Sequence, residues 1–200
     1  MKGESSRRGR YDRHSSRDDR SIAERAALNT ALQALLAEGR STDLSVAAVC
    51  ERAAVGRNTL YAHYDGVPGL LQEVRGECER GLAQVLRQAA DNARTPRARL
   101  SQLCSAWVEF LVQSPQVPVL AVTANGDSDA VDTVLGQELA VFARQAYAAG
   151  FLSRPPSEDS LAVLCGAFRA VAQRQIRGKI ELNSAEMAGL LERITLTALR

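Results

Sequence analysis

The chain has 200 residues, which allows one large domain or two small ones. Hydrophobic residues make up 46% of it and aromatic residues only 4%, and Ala, Leu and Arg are abundant, so an all-α fold is expected rather than a sheet. The formal net charge is +2. No apolar run is long enough to span a membrane and no signal-peptide core is present, so we expect a cytoplasmic protein without a membrane partner.

Residues 1–20 are predicted to form a disordered basic arm. Six arginines stand here among Ser, Gly and Asp, and the apolar residues are limited to Met1 and Tyr11. Such a segment has too little apolar surface to form a core. The first helix is therefore predicted to start at Ser21, whose spacing from Glu24 is that of a capping box. Its apolar stripe consists of Leu28, Leu32, Leu35 and Leu36, and Gly39 is predicted to end it.

Two short helices joined by a tight turn are predicted next. Ser45 can cap the first of them, and its small apolar face contains Val46, Val49, Cys50 and Ala53. Ala54 and Val55 interrupt that pattern, and Gly56 can serve as the N-cap of the second helix. Leu60 and Tyr64 are four residues apart, so they share the face that packs against the first helix. This layout is that of a helix-turn-helix.

The second helix carries side chains that suit DNA. The N-terminal part of a recognition helix reaches base edges in the major groove, and Arg57, Asn58 and Tyr61 lie there, off the buried stripe. Arginine can donate two hydrogen bonds to guanine, and asparagine can pair with adenine. Thr59, Tyr61 and His63 suit phosphate oxygens. With Ser45 at the start of the preceding helix, these residues are the predicted DNA-binding set.

The charge distribution agrees with DNA at one end of the chain. Residues 1–64 contain 11 Lys and Arg against 8 Asp and Glu, whereas residues 65–200 contain 14 against 15. The arginines of residues 1–20 either touch phosphates or the minor groove, or only keep the chain in solution, and the sequence leaves both open.

The stretch from Ser45 to Leu71 resembles the DNA-binding segment of the TetR family of transcriptional regulators. The family pattern is Thr-Val-x-x-Ile-Ala-x-x-Ala-Gly-Val-Ser-x-Gly-Thr-Leu-Tyr-x-His-Phe, followed by a Ser-Lys-Glu-x-Leu-Leu turn. Identical or conservative matches are Ser45, Val46, Val49, Ala53, Val55, Thr59, Leu60, Tyr61, His63, Tyr64, Leu70 and Leu71. The resemblance implies a three-helix DNA-binding part followed by an all-helical part that binds a ligand and dimerises.

The chain departs from that pattern at five positions. Ala54 replaces the turn glycine, Gly56 the usual serine, and Asn58 a residue that is commonly small. Val67 and Pro68 stand where the family has Lys-Glu, and the lysine normally helps to bind a phosphate. Pro68 is compatible with the first turn of a helix, where its missing N–H costs nothing.

A fourth helix, from about Val67 to Arg94, is predicted to link the two parts, and its movement could transmit a signal. The predicted domains are therefore a helix-turn-helix domain at 21–66 and a helical effector-binding and dimerisation domain at 67–200. Amphipathic helices are predicted from Thr95 to Ser114, from Val131 to Gly150, after Ser157 and after Asn183, with a short helix at 119–123 and a turn at 125–128.

The helix after Ser157 has a second face of small residues. Leu161, Leu164 and Phe168 form its apolar stripe, and the small face contains Ala162, Gly166 and Ala170. Small residues permit close helix approach, so this face predicts a homodimer built from the last two helices of each copy. The alternative is that both faces serve the core of one copy.

The only predicted pocket lies among the middle helices. Its aromatic candidates are Trp107, Phe110, Phe142 and Tyr147, with Gln137, Glu138 and Arg144 as nearby polar groups. These residues fit an ordinary helical core equally well, so ligand binding depends on the resemblance. We find no nucleophile elbow, phosphate loop, dinucleotide fingerprint or metal-ligand spacing, and we expect no enzyme activity, cofactor or metal.

The four cysteines, Cys50, Cys78, Cys104 and Cys165, are far apart without a CxxC. Buried reduced thiols are the expectation for them, with a thiol sensor as the alternative.

The sequence therefore predicts a dimeric repressor that a small molecule releases from a palindromic operator in double-stranded DNA. Two alternatives remain: an activator or ligand-independent regulator, and a helical protein-interaction module that has lost DNA binding. Ala54, Gly56 and Val67 are the residues that keep the last alternative open.

Overall fold

The computed structural model describes residues 5–39, 44–114 and 134–199, and these residues form helices and connecting turns without a strand. The predicted all-α fold is confirmed for this part of the chain. The helices are α1 (Ser5–Ala37), α2 (Val46–Ala53), α3 (Arg57–His63), α4 (Gly66–Asp91), α5 (Pro96–Gln113), α6 (Val134–Ala148), α7 (Glu158–Ile176) and α8 (Ser184–Ala198). The predicted helix at 119–123 and turn at 125–128 lie outside the described residues.

Helix α1 begins at Ser5 rather than at Ser21, which corrects the predicted disordered arm at 1–20. Ser21 lies inside the helix, so the capping box predicted there with Glu24 does not form. Instead, Arg20 donates a hydrogen bond to Glu24 at 2.8 Å. These residues are four positions apart and lie on neighbouring turns of the same helix, on either side of Ser21. No proline precedes Ser21, arginine is a good helix former, and adding residues to an existing helix is much easier than nucleating one.

The chain divides into two compact units, Met1–Val74 and Arg75–Arg200. The first unit takes in the first turns of α4 because Val67, Leu70 and Val74 are buried in it. The division therefore falls later than the predicted boundary between 66 and 67. The core of the first unit consists of Leu28, Ala31, Leu32, Leu35, Leu36, Val49, Cys50, Leu60, Tyr64, Val67, Leu70 and Val74.

Helices α5 to α8 build the second unit together with the end of α4. Helix α5 contacts α6, α7 and α8, and α7 contacts both α6 and α8. Their starts follow local capping chemistry: Thr95, Ser157 and Asn183 each accept from a backbone N–H three residues on, as predicted for Ser157 and Asn183. In the described residues no helix is both long and apolar enough to cross a bilayer.

The turn between α2 and α3 contains a strained residue. Ala54 has a φ of +54°, and it is the one non-glycine residue with positive φ among 5–39, 44–114 and 134–199. The backbone N–H of Ala54 donates to the carbonyl oxygens of Cys50 and Glu51. This left-handed cap ends α2. In the left-handed conformation a Cβ atom comes too close to the following carbonyl oxygen, so this conformation is unfavourable for alanine.

Ala54→Gly is expected to raise the free energy of unfolding by about 0.5–1 kcal/mol, because glycine removes the strain but adds chain entropy. Ala47→Gly, on the exposed side of α2, is the control and should lower stability by about 1 kcal/mol. Urea unfolding of the three proteins gives both values. A destabilised Ala54→Gly variant would contradict the strain at this turn.

Candidate DNA-binding surface

Helices α2 and α3 form the helix-turn-helix predicted from the sequence. Ser45 has extended geometry, and its Oγ accepts from the N–H of Ala48 at 3.2 Å, as a capping residue does. Gly56 precedes α3 as its N-cap, without a side-chain hydrogen bond. Leu60 of α3 is completely buried, and α3 contacts both α1 and α2. Helix α3 is therefore held by its buried side.

The other side of α3 presents three of the predicted DNA-binding residues together. Arg57 and Asn58 are exposed, and Tyr61 is 60% exposed despite its aromatic ring. Positions 57, 58 and 61 fall within about 100° of arc on a helix, so the side chains share one surface. Arginine and asparagine can each make paired hydrogen bonds to a base edge. This surface has the chemistry for direct readout in a major groove.

Ser45 and Thr59 lie at the margins of that surface. Ser45 is exposed, and a hydroxyl that accepts one hydrogen bond as a cap can still donate another, for example to a phosphate oxygen. Thr59 is half-buried beside Leu60, so it has less freedom to reach outward.

His63 occupies a different environment from the one predicted. Its side chain is only 13% exposed, and Nε2 lies 3.1 Å from Oε2 of Glu24 on α1. The other Glu24 oxygen accepts from Arg20. The His63 hydrogen bond, followed by that of Arg20, lowers the pKa of Glu24. His63 therefore connects α3 to α1 within the protein, which changes the phosphate-binding role expected of it.

Tyr64 takes part in a second polar contact that the sequence did not predict. Its hydroxyl donates to Oε1 of Glu73 at 3.1 Å, while Oε2 of Glu73 accepts from Arg25 at 2.5 Å. The amide oxygen of Asn29 is 3.5 Å from the same hydroxyl. Burial raises the pKa of Tyr64, which keeps the hydroxyl protonated as a donor. The available signal was the tyrosine itself, which stands where the family pattern has phenylalanine.

The predicted effector residues separate into two groups in the second unit. Trp107 and Phe142 are buried, Phe110 is half-buried, and Trp107 packs edge-on against Phe168 with ring centroids 5.0 Å apart. Tyr147 is 45% exposed, so the structure does not place it with the other three. The buried stripe of α6 runs through Leu139, Phe142 and Ala146, and Tyr147 is rotated about 100° from Ala146.

Two spaces lie among the described residues of the second unit, and of the four predicted aromatic residues Phe142 alone lines one of them. A cavity of about 10 Å³ is lined by Leu86, Leu103, Cys104, Leu135, Glu138, Leu139 and Phe168. An open cleft of about 270 Å³ is lined by Ala93, Arg94, Thr95, Pro96, Arg99, Phe142, Gln145, Ala146 and Ala149. Of the predicted polar groups, Glu138 lies at the small cavity, whereas Gln137 and Arg144 are exposed.

Solved structures of transcriptional regulators share this architecture. The TetR-family regulator PfmR from Thermus thermophilus superposes with a TM-score of 0.63 at 15% identity, covering 88% of this chain and 94% of its own. A regulator assigned to the TetR family from Shewanella sp. PV-4 has a TM-score of 0.68 at 16% identity, with 88% and 97% covered.

This chain has the fold of the TetR-family regulators. SmeT, solved as a complex with triclosan, also superposes, with a TM-score of 0.64 at 15% identity over 88% of this chain and 91% of that one. No protein-family model matches the sequence, and no curated protein matches it. The TetR fold thus agrees with the resemblance that the helix-turn-helix residues indicated.

All four cysteines are buried thiols. Burial raises the pKa of Cys78 to about 11 and that of Cys104 to about 12, and it also raises the pKa of Cys50. The thiolate is the reactive form of cysteine, and these shifts suppress it at neutral pH. The environment of these thiols favours a packing role over redox sensing.

We expect Cys78 and Cys104 to resist a thiol-specific disulfide reagent at pH 8 in the folded protein. With pKa values of about 11 and 12, roughly one thiol in a thousand and one in ten thousand are ionised at that pH. Peptide mapping after labelling measures each site, and labelling in denaturant is the control in which all four cysteines should react. Rapid labelling of either residue in the folded protein would favour the sensor alternative.

Proposed function

We propose that this protein is a TetR-family transcriptional regulator that binds double-stranded DNA with α3 in the major groove. The observation that carries the proposal is the exposed set of Arg57, Asn58 and Tyr61 on one side of the second helix of a helix-turn-helix. The fold supports it, because regulators with this architecture match 88% of the chain. Arg57 would read a guanine and Asn58 an adenine, while Ser45, Thr59 and Tyr61 contact the backbone.

The proposal includes a homodimer on a palindromic site. The face of α7 opposite its core stripe carries the exposed small residues Ala162, Gly166 and Ala170, with Val163, which is 64% exposed, at its edge. A Cβ added at Gly166 meets no atom within 4 Å, so close helix approach is open to a second copy. A two-fold dimer pairs two readers with two half-sites.

The proposal further includes repression that a small molecule relieves. Trp107, Phe110 and Phe142 provide the aromatic surface for such an effector in the second unit. The complex of SmeT with triclosan supports a ligand site in a protein of this fold. A ligand that binds one conformation more tightly would shift the population away from the DNA-binding state.

Arg57→Ala is expected to weaken specific binding by about 1–3 kcal/mol if Arg57 reads a guanine. The measurement compares a duplex that the wild-type protein selects from a randomised library with the same duplex shuffled, at one salt concentration. Arg52→Ala is the control with the same loss of charge, since Arg52 is an exposed arginine on α2 that pairs with Glu38 at 2.7 Å. It should leave the ratio of the affinities for the selected and shuffled duplexes unchanged. An equal loss on both duplexes for Arg57→Ala would reduce this residue to a phosphate contact.

Gly166→Leu is expected to produce a folded, helical monomer that binds palindromic DNA poorly. The position is exposed and leucine forms helices better than glycine, so the fold of one copy should tolerate it. In the dimer the large side chain is present twice, and overpacking costs about 1–3 kcal/mol at each well-packed contact.

Sedimentation and circular dichroism measure that variant together, with Ala148→Leu on the exposed end of α6 as the control that stays dimeric. A Gly166→Leu variant that remains dimeric would move the interface to another surface, such as α8 around Leu190 and Ile194.

A further inference from the structure

The C-terminal end of the recognition helix is held by two carboxylates from other helices. His63 and Tyr64 are consecutive residues, and each hydrogen-bonds a different glutamate: His63 bonds Glu24 of α1 at 3.1 Å and Tyr64 bonds Glu73 of α4 at 3.1 Å. These contacts join residues that are 39 and 9 positions apart in sequence. The end of α3 is thereby attached to α1 and to α4 at the same time.

Each of the two glutamates is itself held by an arginine of α1. Arg20 donates to the free oxygen of Glu24 at 2.8 Å, and Arg25 donates to the second oxygen of Glu73 at 2.5 Å. The side chains of Glu24 and Glu73 are only 22% and 24% exposed. Arg20 and Arg25 are 80% and 49% exposed, so these ion pairs are open to water and contribute little stability by themselves. Their hydrogen bonds are charge-assisted, and they hold the two carboxylates in the orientation that meets α3.

Helix α3 needs such attachment more than the other helices do. It has seven residues and its N-cap Gly56 offers no side-chain hydrogen bond. Arg57 is six residues from His63, about 9 Å along the helix axis. A small rotation at one end therefore displaces the other, and paired hydrogen bonds to a base tolerate little displacement. Binding to phosphates in general is less demanding because it is electrostatic and independent of sequence.

We infer that Glu24 and Glu73 are positioning residues for DNA reading: together with His63 and Tyr64 they form a carboxylate clamp that sets the orientation of Arg57 and Asn58. This inference rests on the proposed function. The clamp predicts a result that charge alone does not. Removing an acidic side chain from a DNA-binding unit favours binding to phosphates, whereas loss of the clamp lowers binding to the selected sequence.

The test measures the affinity of Glu24→Ala and Glu73→Ala for the duplex selected by the wild-type protein and for its shuffled form. Each variant is expected to lose about tenfold in affinity for the selected duplex, the order of one charge-assisted hydrogen bond. Affinity for the shuffled duplex should stay equal or rise. Glu24→Gln and Glu73→Gln keep an accepting oxygen and should recover most of the specific affinity.

Glu38→Ala is the matched control, because Glu38 pairs with Arg52 of α2 rather than with a residue of α3, and its loss gives the same change of charge. Its ratio of specific to non-specific affinity should equal that of the wild type. Unchanged ratios in both Glu24→Ala and Glu73→Ala would overturn the inference. If an alanine variant does not fold, Tyr64→Phe decides for Glu73: the ratio falls if the clamp operates and stays constant if it does not.

Hydrogen exchange of the α3 amides tests the clamp without DNA. The alanine variants should exchange these amides faster while the amides of α5 to α8 keep their protection. Unchanged protection in α3 would overturn the clamp even if DNA binding fell. A wild-type protein that selects no sequence would instead overturn the proposed function, and the exchange result would still report on the clamp.

Discussion

A seven-residue helix is too short to keep its shape in water, and α3 is such a helix. Burial of Leu60 is the interaction on which its position depends. Leu60 is completely buried, and complete burial of a leucine side chain contributes about 1.5–3 kcal/mol. Because Leu60 faces the core, Arg57, Asn58 and Tyr61 face outward. The outward face of α3, for which DNA reading is proposed, is thus a consequence of one apolar anchor in the middle of that helix.

Burial of Leu60 fixes how deeply α3 sits against the other helices, but it does not prevent α3 from rotating about that side chain, since burial has no directional preference. Hydrogen bonds are directional, and the structure places them at the end of α3, where His63 and Tyr64 meet Glu24 and Glu73. The opposite end, around Arg57 and Asn58, is left exposed. Burial of Leu60 therefore sets the depth of α3, and the two hydrogen bonds at its end set its orientation. Neither interaction uses the residues that face outward.

Local chemistry explains which parts of this fold the sequence could predict. Ser45, Ser157 and Asn183 cap helices through bonds to residues three positions on, so their roles are visible in a short window. Gly39, with a φ of +75°, follows the end of α1 for the same kind of reason. The pairing of His63 with Glu24 depends on how α1 and α3 cross, which no local pattern specifies. The start of α1 at Ser5 is not visible in a short window of sequence, because no proline stands between Ser5 and Ser21 to mark a helix boundary.

The packing of the second unit bears on the proposed response to a ligand. Beside Phe168 the described helices leave about 10 Å³, the space of about one water molecule, whereas small-molecule sites occupy about 300–1,000 Å³. If the proposed effector entered between Trp107 and Phe168, it would have to separate two rings that pack against each other, and apolar space costs about 24 cal/mol per Å³ to open. A ligand that fits only the opened packing would stabilise that state by the full difference between its affinities for the opened and closed states. A site that fitted the ligand equally in both states would shift nothing, so the proposed response requires that opening or closing of the core change the fit.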